Sequence, residues 1–410
     1  MLTPSEALEQ ILARCGDPLE PEHVPIANAA GRCLAAPVTS DVDLPPFEKS
    51  AMDGYALRSA DVAGGVFQTE EDAERDLACV GESRAGVPFE GAPPPYACVA
   101  IYTGAELPQG CDAVEMVEHT RREGNRVFFR RPVKPGQNVN HRAEVLAAGR
   151  TVFEPRRRLS AIDVSVLAAV GCDPVPVHRQ PKVSILTTGD ELVAVNEKPR
   201  RGQIREGNTL YLAATCLGLG CRVLRCGIVR DDPAQLELSF REALRDSDAL
   251  ITTGGVSVGR YDLVGAAFEK LGVEPIIHQV AIKPGKPIWF GLAGAKPVFG
   301  LPGNPVSSLL GFEVFVRPVL ARLAGADVEE EAERLLRGRW LGPEVAAKGR
   351  QHNLPATVGR GADGVVELQP LPWKGSADIV ALTAAGGLAV VPADGAIRTG
   401  EVIDYRPLSG

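Results

Sequence analysis

From residue 181 onward the chain repeats one pattern: a short apolar run, a turn rich in Gly or Pro, then a stretch with helical spacing. KVSILTT, CRVLRCGIV, DALITT, EPIIHQVAI, PIWFG and PVFGL read as strands. Helices are expected near 208–217 and 262–271, after Asp232 and Pro233 with Leu236, Phe240 and Leu244 on one face, and from Asn304. Strand–helix alternation of this kind buries its apolar faces as a three-layer α/β domain with a mainly parallel sheet. It also says where ligands go, because in such sheets they bind beyond the carboxyl ends of the strands. Pro318 is expected to kink or end the last helix, since it removes a backbone donor and crowds the preceding turn.

The flanking stretches lack this alternation. Thr3, Pro4 and Glu6 form a capping box that opens a first helix, with Leu8, Ile11, Leu12 and Cys15 on its apolar face. DVDLPPFEKS marks a boundary, and residues 44–145 hold short alternating runs such as ACVAIYTG and RVFFRRPV, split by Gly and Pro. Within them TEEDAERD reads as a solvated face or loop. Ser160 and Asp163 cap a second helix that Gly171 ends. PRRRL before it is either a basic anion patch or a solvated linker. DVEEEAERLL is a charged connector, and residues 335–410 return to short strands, a small β-barrel or sandwich. The fold class is α/β plus β: an α/β domain (181–326), an inserted β-rich domain (44–145), a helical segment built from 1–43 and 146–180, and a C-terminal β-barrel-like domain (327–410).

Composition narrows the partners. With 44 basic and 52 acidic residues the net charge is −8, so no general basic field recruits nucleic acid or an anionic membrane. Any bound anion must be held by a local cluster. No apolar window of spanning length occurs, and the N-terminus has no signal-peptide core. The nine Cys form no C-x-x-C pair, and most read as small buried hydrophobes in a reducing cytoplasm; Cys216, Cys221 and Cys226 are too widely spaced for a typical zinc site.

Four strand ends carry unusual residues. In ILTTGDEL, Asp190 and Glu191 follow a tight turn, which suits either a hard cation such as Mg²⁺ or the acidic bias of a helix start. In LITTGGVSVGRYD, Gly254, Gly255 and Gly259 free the backbone to cradle phosphate, with Ser257 and Asp262 following. The spacing is neither the dinucleotide fingerprint nor the Walker pattern. In AIKPGKPIWFG, Lys283 and Lys286 flank a rigid Pro-Gly turn, either as solvated lysines or as a pair awaiting an anion. In FGLPGNPVSSLL, Asn304, Pro305, Ser307 and Ser308 open a helix, as an oxyanion site or as ordinary capping.

These motifs stand in one order with LPPFEKSAMDGYAL, IYTGAELPQGCDAVEMVE and GIVRDDP, and together the chain resembles the molybdopterin molybdenumtransferase family, the MoeA type whose eukaryotic relatives include the E domain of gephyrin. The resemblance covers nearly the whole chain. It implies four domains matching the boundaries above, an elongated homodimer, and a site between the β-rich domain of one subunit and the α/β and C-terminal domains of the other. It implies a reaction in which adenylylated molybdopterin and molybdate, with Mg²⁺, give molybdenum cofactor and AMP. Contacts with a molybdopterin adenylyltransferase and with molybdoenzymes are implied too. By motif, Asp53, Thr103, Glu191, Asp231 and Asp262 are the implied catalytic residues, with Asp190, Glu191 and Asp262 at the metal. Gly254, Gly255, Ser257, Lys283, Lys286, Ser307, Arg350 and Ser376 are the implied substrate-binding residues. An arginine suits the oxyanion because its fixed fork of donors matches it.

The chain departs from the family at Asn140, Ala143 and Val145 in GQNVNHRAEV, at Arg205–Gly207 in GQIREGN, at Gln279, and at His352 and Asn353 in GRQHN, where an acidic and an aromatic residue are common. Two alternatives share the motifs: a molybdopterin-binding scaffold without turnover, and a molybdopterin adenylyltransferase.

Overall fold

The computed structural model describes residues 1–63, 75–255, 263–329 and 334–408. Ser257 and Asp262, and most of TEEDAERD, lie outside the described residues. The chain forms two compact units: Met1–Ala36 with Pro155–Val164 and Pro174–Gly410, and Pro37–Glu154 with Ser165–Asp173. Among the described residues no helix is long and apolar enough to cross a membrane.

The first unit holds the expected α/β layer. Its six-stranded sheet runs in the order Arg222–Val229, Lys182–Thr188, Ala249–Thr253, Lys296–Leu301, Trp289–Ala293, Glu274–Ile277. The first four strands pair in parallel; Trp289–Ala293 alone runs the other way, pairing antiparallel with both its neighbours, so the sheet is mixed. Continuous burial along Lys182–Thr188 and Ala249–Thr253 fits central strands covered on both faces. Helices Pro4–Arg14, Asn208–Gly218 and Pro305–Leu323 cover one face through Ile11, Leu212, Leu309 and Phe315. Helices Pro233–Asp246 and Leu263–Lys270 cover the other through Leu236, Phe240, Val264 and Phe268.

The caps explain the boundaries. Glu6 N–H donates to Thr3 Oγ1 (3.3 Å) and Thr3 N–H to Glu6 Oε2 (2.8 Å), the full capping box. Asp232 accepts from the amides of Ala234 and Gln235. Pro318 does not end its helix: Phe312–Val316 forms a π turn, and Arg317–Leu323 continues as α-helix with proline near its start. A wider turn just before the proline relieves the clash expected inside a regular helix. PRRRL is an exposed turn, in keeping with the solvated linker rather than an open anion patch: Arg157 pairs with Asp163 (2.9 Å) and Arg158 donates to the carbonyls of Gly31 and Leu219.

The barrel alternative holds at the C-terminus. Gln351–Arg360, Val366–Pro370, Leu336–Trp340, Val402–Pro407 and Gly387–Val391 pair in sequence, and the last returns to the first. Trp340, Leu368 and Tyr405 fill the interior. Ile282–Lys283 leaves the α/β layer and pairs in parallel with Gln351–His352.

The second unit is a mixed six-stranded sheet in the order Ala113–Met116, Gly54–Leu57, Ala97–Ile101, Arg75–Ser83, Arg126–Phe129, Thr120–Glu123. Its core is Tyr55, Leu57, Leu77, Val127 and Phe129.

A candidate active site at the strand tips

Beyond the carboxyl ends of the parallel strands lies a cavity of about 660 Å³, within the range of small-molecule sites. Glu191, Asn208, Gly254, Gly255 and Asn304 line it, and Ala377 and Ile379 reach it from the C-terminal barrel.

Side-chain bonds knit the strand tips together. Thr187 Oγ1 donates to the carbonyl of Thr253 (2.9 Å) and Thr253 Oγ1 to that of Pro302 (3.1 Å). Asn208 Nδ2 donates to Gly303 O (2.7 Å) and Thr253 Oγ1 (3.2 Å), joining two further loops. Motif reading left Asn208 without a role; at the first turn of its helix it lines the cavity. Glu206 beside it caps the same helix by accepting from Thr209 N–H and Oγ1, both at 2.7 Å.

The two glycines are structurally required. Gly254 (φ +83°) would place a Cβ 2.6 Å from the Thr188 carbonyl oxygen, and Gly255 (φ +66°) would place one 2.5 Å from Val264. Their backbone can therefore approach a ligand with nothing between.

The Asp190–Glu191 turn is not a helix start. Leu192–Val193 follows as a short strand paired with Ile204–Arg205, so the helix-bias alternative falls away. Asp231 holds this turn: its carboxylate accepts from Thr188 Oγ1 and from Asp190 N–H (3.2 Å). Glu191 folds over Gly189 and faces the cavity, while Asp190 is exposed and does not line it. Among the described residues no group of three His, Cys, Asp or Glu that could hold a metal occurs. Two adjacent carboxylates still fit Mg²⁺, which takes one or two protein oxygens and fills its sphere from water and phosphate.

A cationic face forms around the turn whose Pro287 lines the cavity; Lys283, Lys286 and Arg350 do not themselves line it. The pairing of Lys283 with His352 brings Arg350, His352 and Lys283 together. Burial and the charges of Lys283 and Arg350 hold the His352 imidazole below its ordinary pKa. Among the described residues Lys283, Lys286 and Arg350 make no ion pair or side-chain hydrogen bond. The KPGKP turn packs on the buried Ser307, with Gly285 so close that an added Cβ would stand 3.4 Å from the Ser307 carbonyl.

The helix after Asn304 is not left open for an oxyanion at its first amide. Val306 N–H donates to the carbonyl of Ser376 (3.0 Å), and Asn304 Nδ2 donates to Ser376 Oγ (3.0 Å) rather than capping its own helix. Asp378 shapes the Ser376 loop by accepting from Lys374 and Ala381 amides, which hold its carboxyl below the usual range.

In the second unit, Asp53 and Thr103 form a preassembled pair. Thr103 N–H and Oγ1 both donate to Asp53 Oδ1 at 2.7 Å, and these bonds, the amide first, hold the carboxyl below its ordinary pKa. The same unit holds a group the motifs did not assign, the fully buried Glu115. Burial pulls its pKa up, but Arg131, Gln137 and His119 together outweigh that and keep it lowered.

The matches to known proteins follow this anatomy. Residues 2–171 match the "MoeA N-terminal region (domain I and II)", 184–322 a "Probable molybdopterin binding domain", and 341–408 the "MoeA C-terminal region (domain IV)". A molybdopterin molybdenumtransferase of Haemophilus influenzae is 33% identical over 100% of this chain and 99% of its own length. One of Nostoc sp. is 39% identical over 74% of this chain and 70% of its own. The crystal structure of a molybdopterin biosynthesis MoeA protein from Pyrococcus horikoshii superposes with a TM-score of 0.84 at 30% identity, covering 100% of both chains.

Proposed function

The chain belongs to the molybdopterin molybdenumtransferase family, and from that premise we propose that it transfers molybdenum from molybdate into the dithiolate of adenylylated molybdopterin, with release of AMP, to complete molybdenum cofactor. The observation that carries this is a cationic face with no ion pair among the described residues, formed around the turn whose Pro287 lines a backbone-lined cavity at the strand tips. Like charges held together without counterions are costly, and an oxyanion substrate relieves that cost.

In this reading the nucleotide and pterin occupy the cavity, where the amides near Gly254 and Gly255 receive phosphate oxygens. Lys283, Lys286 and Arg350 receive molybdate, and Ser307 and Ser376 shape the wall between the two ligands. Asp53 enters as an anion. Both Thr103 donors land on Oδ1, which leaves Oδ2 to accept a proton from water or to orient it. Asp231 positions the Asp190–Glu191 turn. Glu191 and Asp190 would hold Mg²⁺, which when bound neutralises the pyrophosphate as AMP departs. Ser257 and Asp262 remain part of the proposal on motif alone.

We also propose that the working unit is a homodimer in which Asp53 and Thr103 of one copy serve the cavity of the other. Mixing Asp53→Asn with Lys283→Ala protein then restores activity that neither has alone; no recovery contradicts the shared site.

The reading as a whole is tested by incubating the protein with adenylylated molybdopterin, molybdate and Mg²⁺. Molybdate-dependent AMP release with formation of active cofactor is expected. Pterin binding without AMP release supports the scaffold instead, and consumption of ATP with molybdopterin supports the adenylyltransferase.

A further inference from the structure

Resting on the reading above, we propose that His352 is a further member of the oxyanion site, neutral when the site is empty and protonated when a tetrahedral dianion binds, so that anion capture is coupled to proton uptake. The register carries it. Residues directly paired across parallel strands, and residues two apart on one strand, share a face. Lys283 pairs with His352, so these two stand on one side, and Arg350, in the bend just before that strand, lies close enough for its charge to act on the imidazole. Asn353, the next residue, is 1% exposed and turns the other way, donating to the Lys283 carbonyl (3.4 Å). His352 itself is half-buried.

The charges around it are few. Lys283 comes from the paired strand and Arg350 from the bend that precedes its own. The other neighbouring strand, Gly387–Val391, and the short helix Val380–Ala384 contribute no titratable group. With two cations and no carboxylate facing it, the imidazole sheds its proton easily in the empty site. A bound dianion reverses the local potential and draws the proton back. The net result is a site that repels itself less when empty and gains a third positive group when filled. Linkage then requires affinity to fall as pH rises through the interval between the two states.

The test is the binding of micromolar molybdate by the intact protein between pH 6.0 and 8.5. Affinity in the wild type should fall by on the order of tenfold across this range. His352→Gln should bind about as weakly at pH 6.0 as the wild type at high pH, with a flat profile. His352→Lys, which keeps a charge throughout, should bind tightly with little slope. Proton NMR adds a readout independent of affinity: the His352 ring should titrate below the ordinary histidine value and move up when molybdate is added. A wild-type profile that depends on Lys283 but matches His352→Gln in slope overturns this inference and leaves the functional reading standing. Binding unaffected by Lys283→Ala overturns both.

Discussion

Asp53 in one unit and Lys283 in the other are both exposed charged groups, yet they are treated in opposite ways. The Asp53 carboxylate has its partners built in, with two donors from Thr103 on one oxygen. Lys283, Lys286 and Arg350 have none among the described residues, and the strand pairing at Lys283 adds a histidine rather than an acid. A group satisfied within its own unit is already in its working charge state and orientation. A group left unsatisfied is free to take a ligand. In the proposed function, that difference separates the residue that acts on the substrate from the residues that hold it.

The largest effect is expected at the satisfied group. Asp53→Asn should lower AMP release by at least about a hundredfold while pterin binding persists. Because the Asp53 pKa is depressed, its ionised form is fully present above the ordinary carboxylate value and is lost only as pH falls through the lowered one. AMP release should therefore show no acid limb from Asp53 near neutrality. An equal loss of binding and turnover would make Asp53 a binding group and erase the contrast.

Lys283→Ala should weaken molybdate binding by about 1.5–3 kcal/mol, the value of a charge-assisted donor. Unchanged affinity by titration would remove Lys283 from the pocket. Gly254→Ala tests the turn at the strand tips: the 2.6 Å approach to Thr188 O and the positive φ predict a loss of roughly 2 kcal/mol in denaturant unfolding. Wild-type stability would show that the turn relaxes freely.

The smallest effect should be a gain. Ala143 sits at φ +60°, a left-handed conformation that costs a residue with a Cβ more than it costs glycine. Ala143→Gly should stabilise the second unit by about 0.5–1 kcal/mol, read as a raised melting temperature. Destabilisation would mean that the methyl packs usefully.

Much of this was legible in the sequence because it is local. The capping box at Thr3–Glu6, the cap at Asp232 and the buried runs at Lys182–Thr188 and Ala249–Thr253 follow from neighbouring residues. What escaped depends on pairs far apart in the chain. Nothing near Asn304 says that its side chain reaches Ser376 instead of its own helix. Nothing near Asp231 says that it ties down the turn at Thr188 and Asp190. The parallel pairing of Ile282–Lys283 with the barrel, which assembles the cationic face, is also a long-range event with no local signature. The π turn before Pro318 is a subtler case, because periodicity cannot distinguish one wide turn from a helix end.

The most direct measurement is a crystal structure with adenylylated molybdopterin and molybdate bound. The account predicts nucleotide and pterin density in the cavity lined by Glu191, Asn208 and Gly254, and an oxyanion within hydrogen-bond reach of Lys283 and Arg350. Ligand density on another surface, with that cationic face still bare, would contradict it.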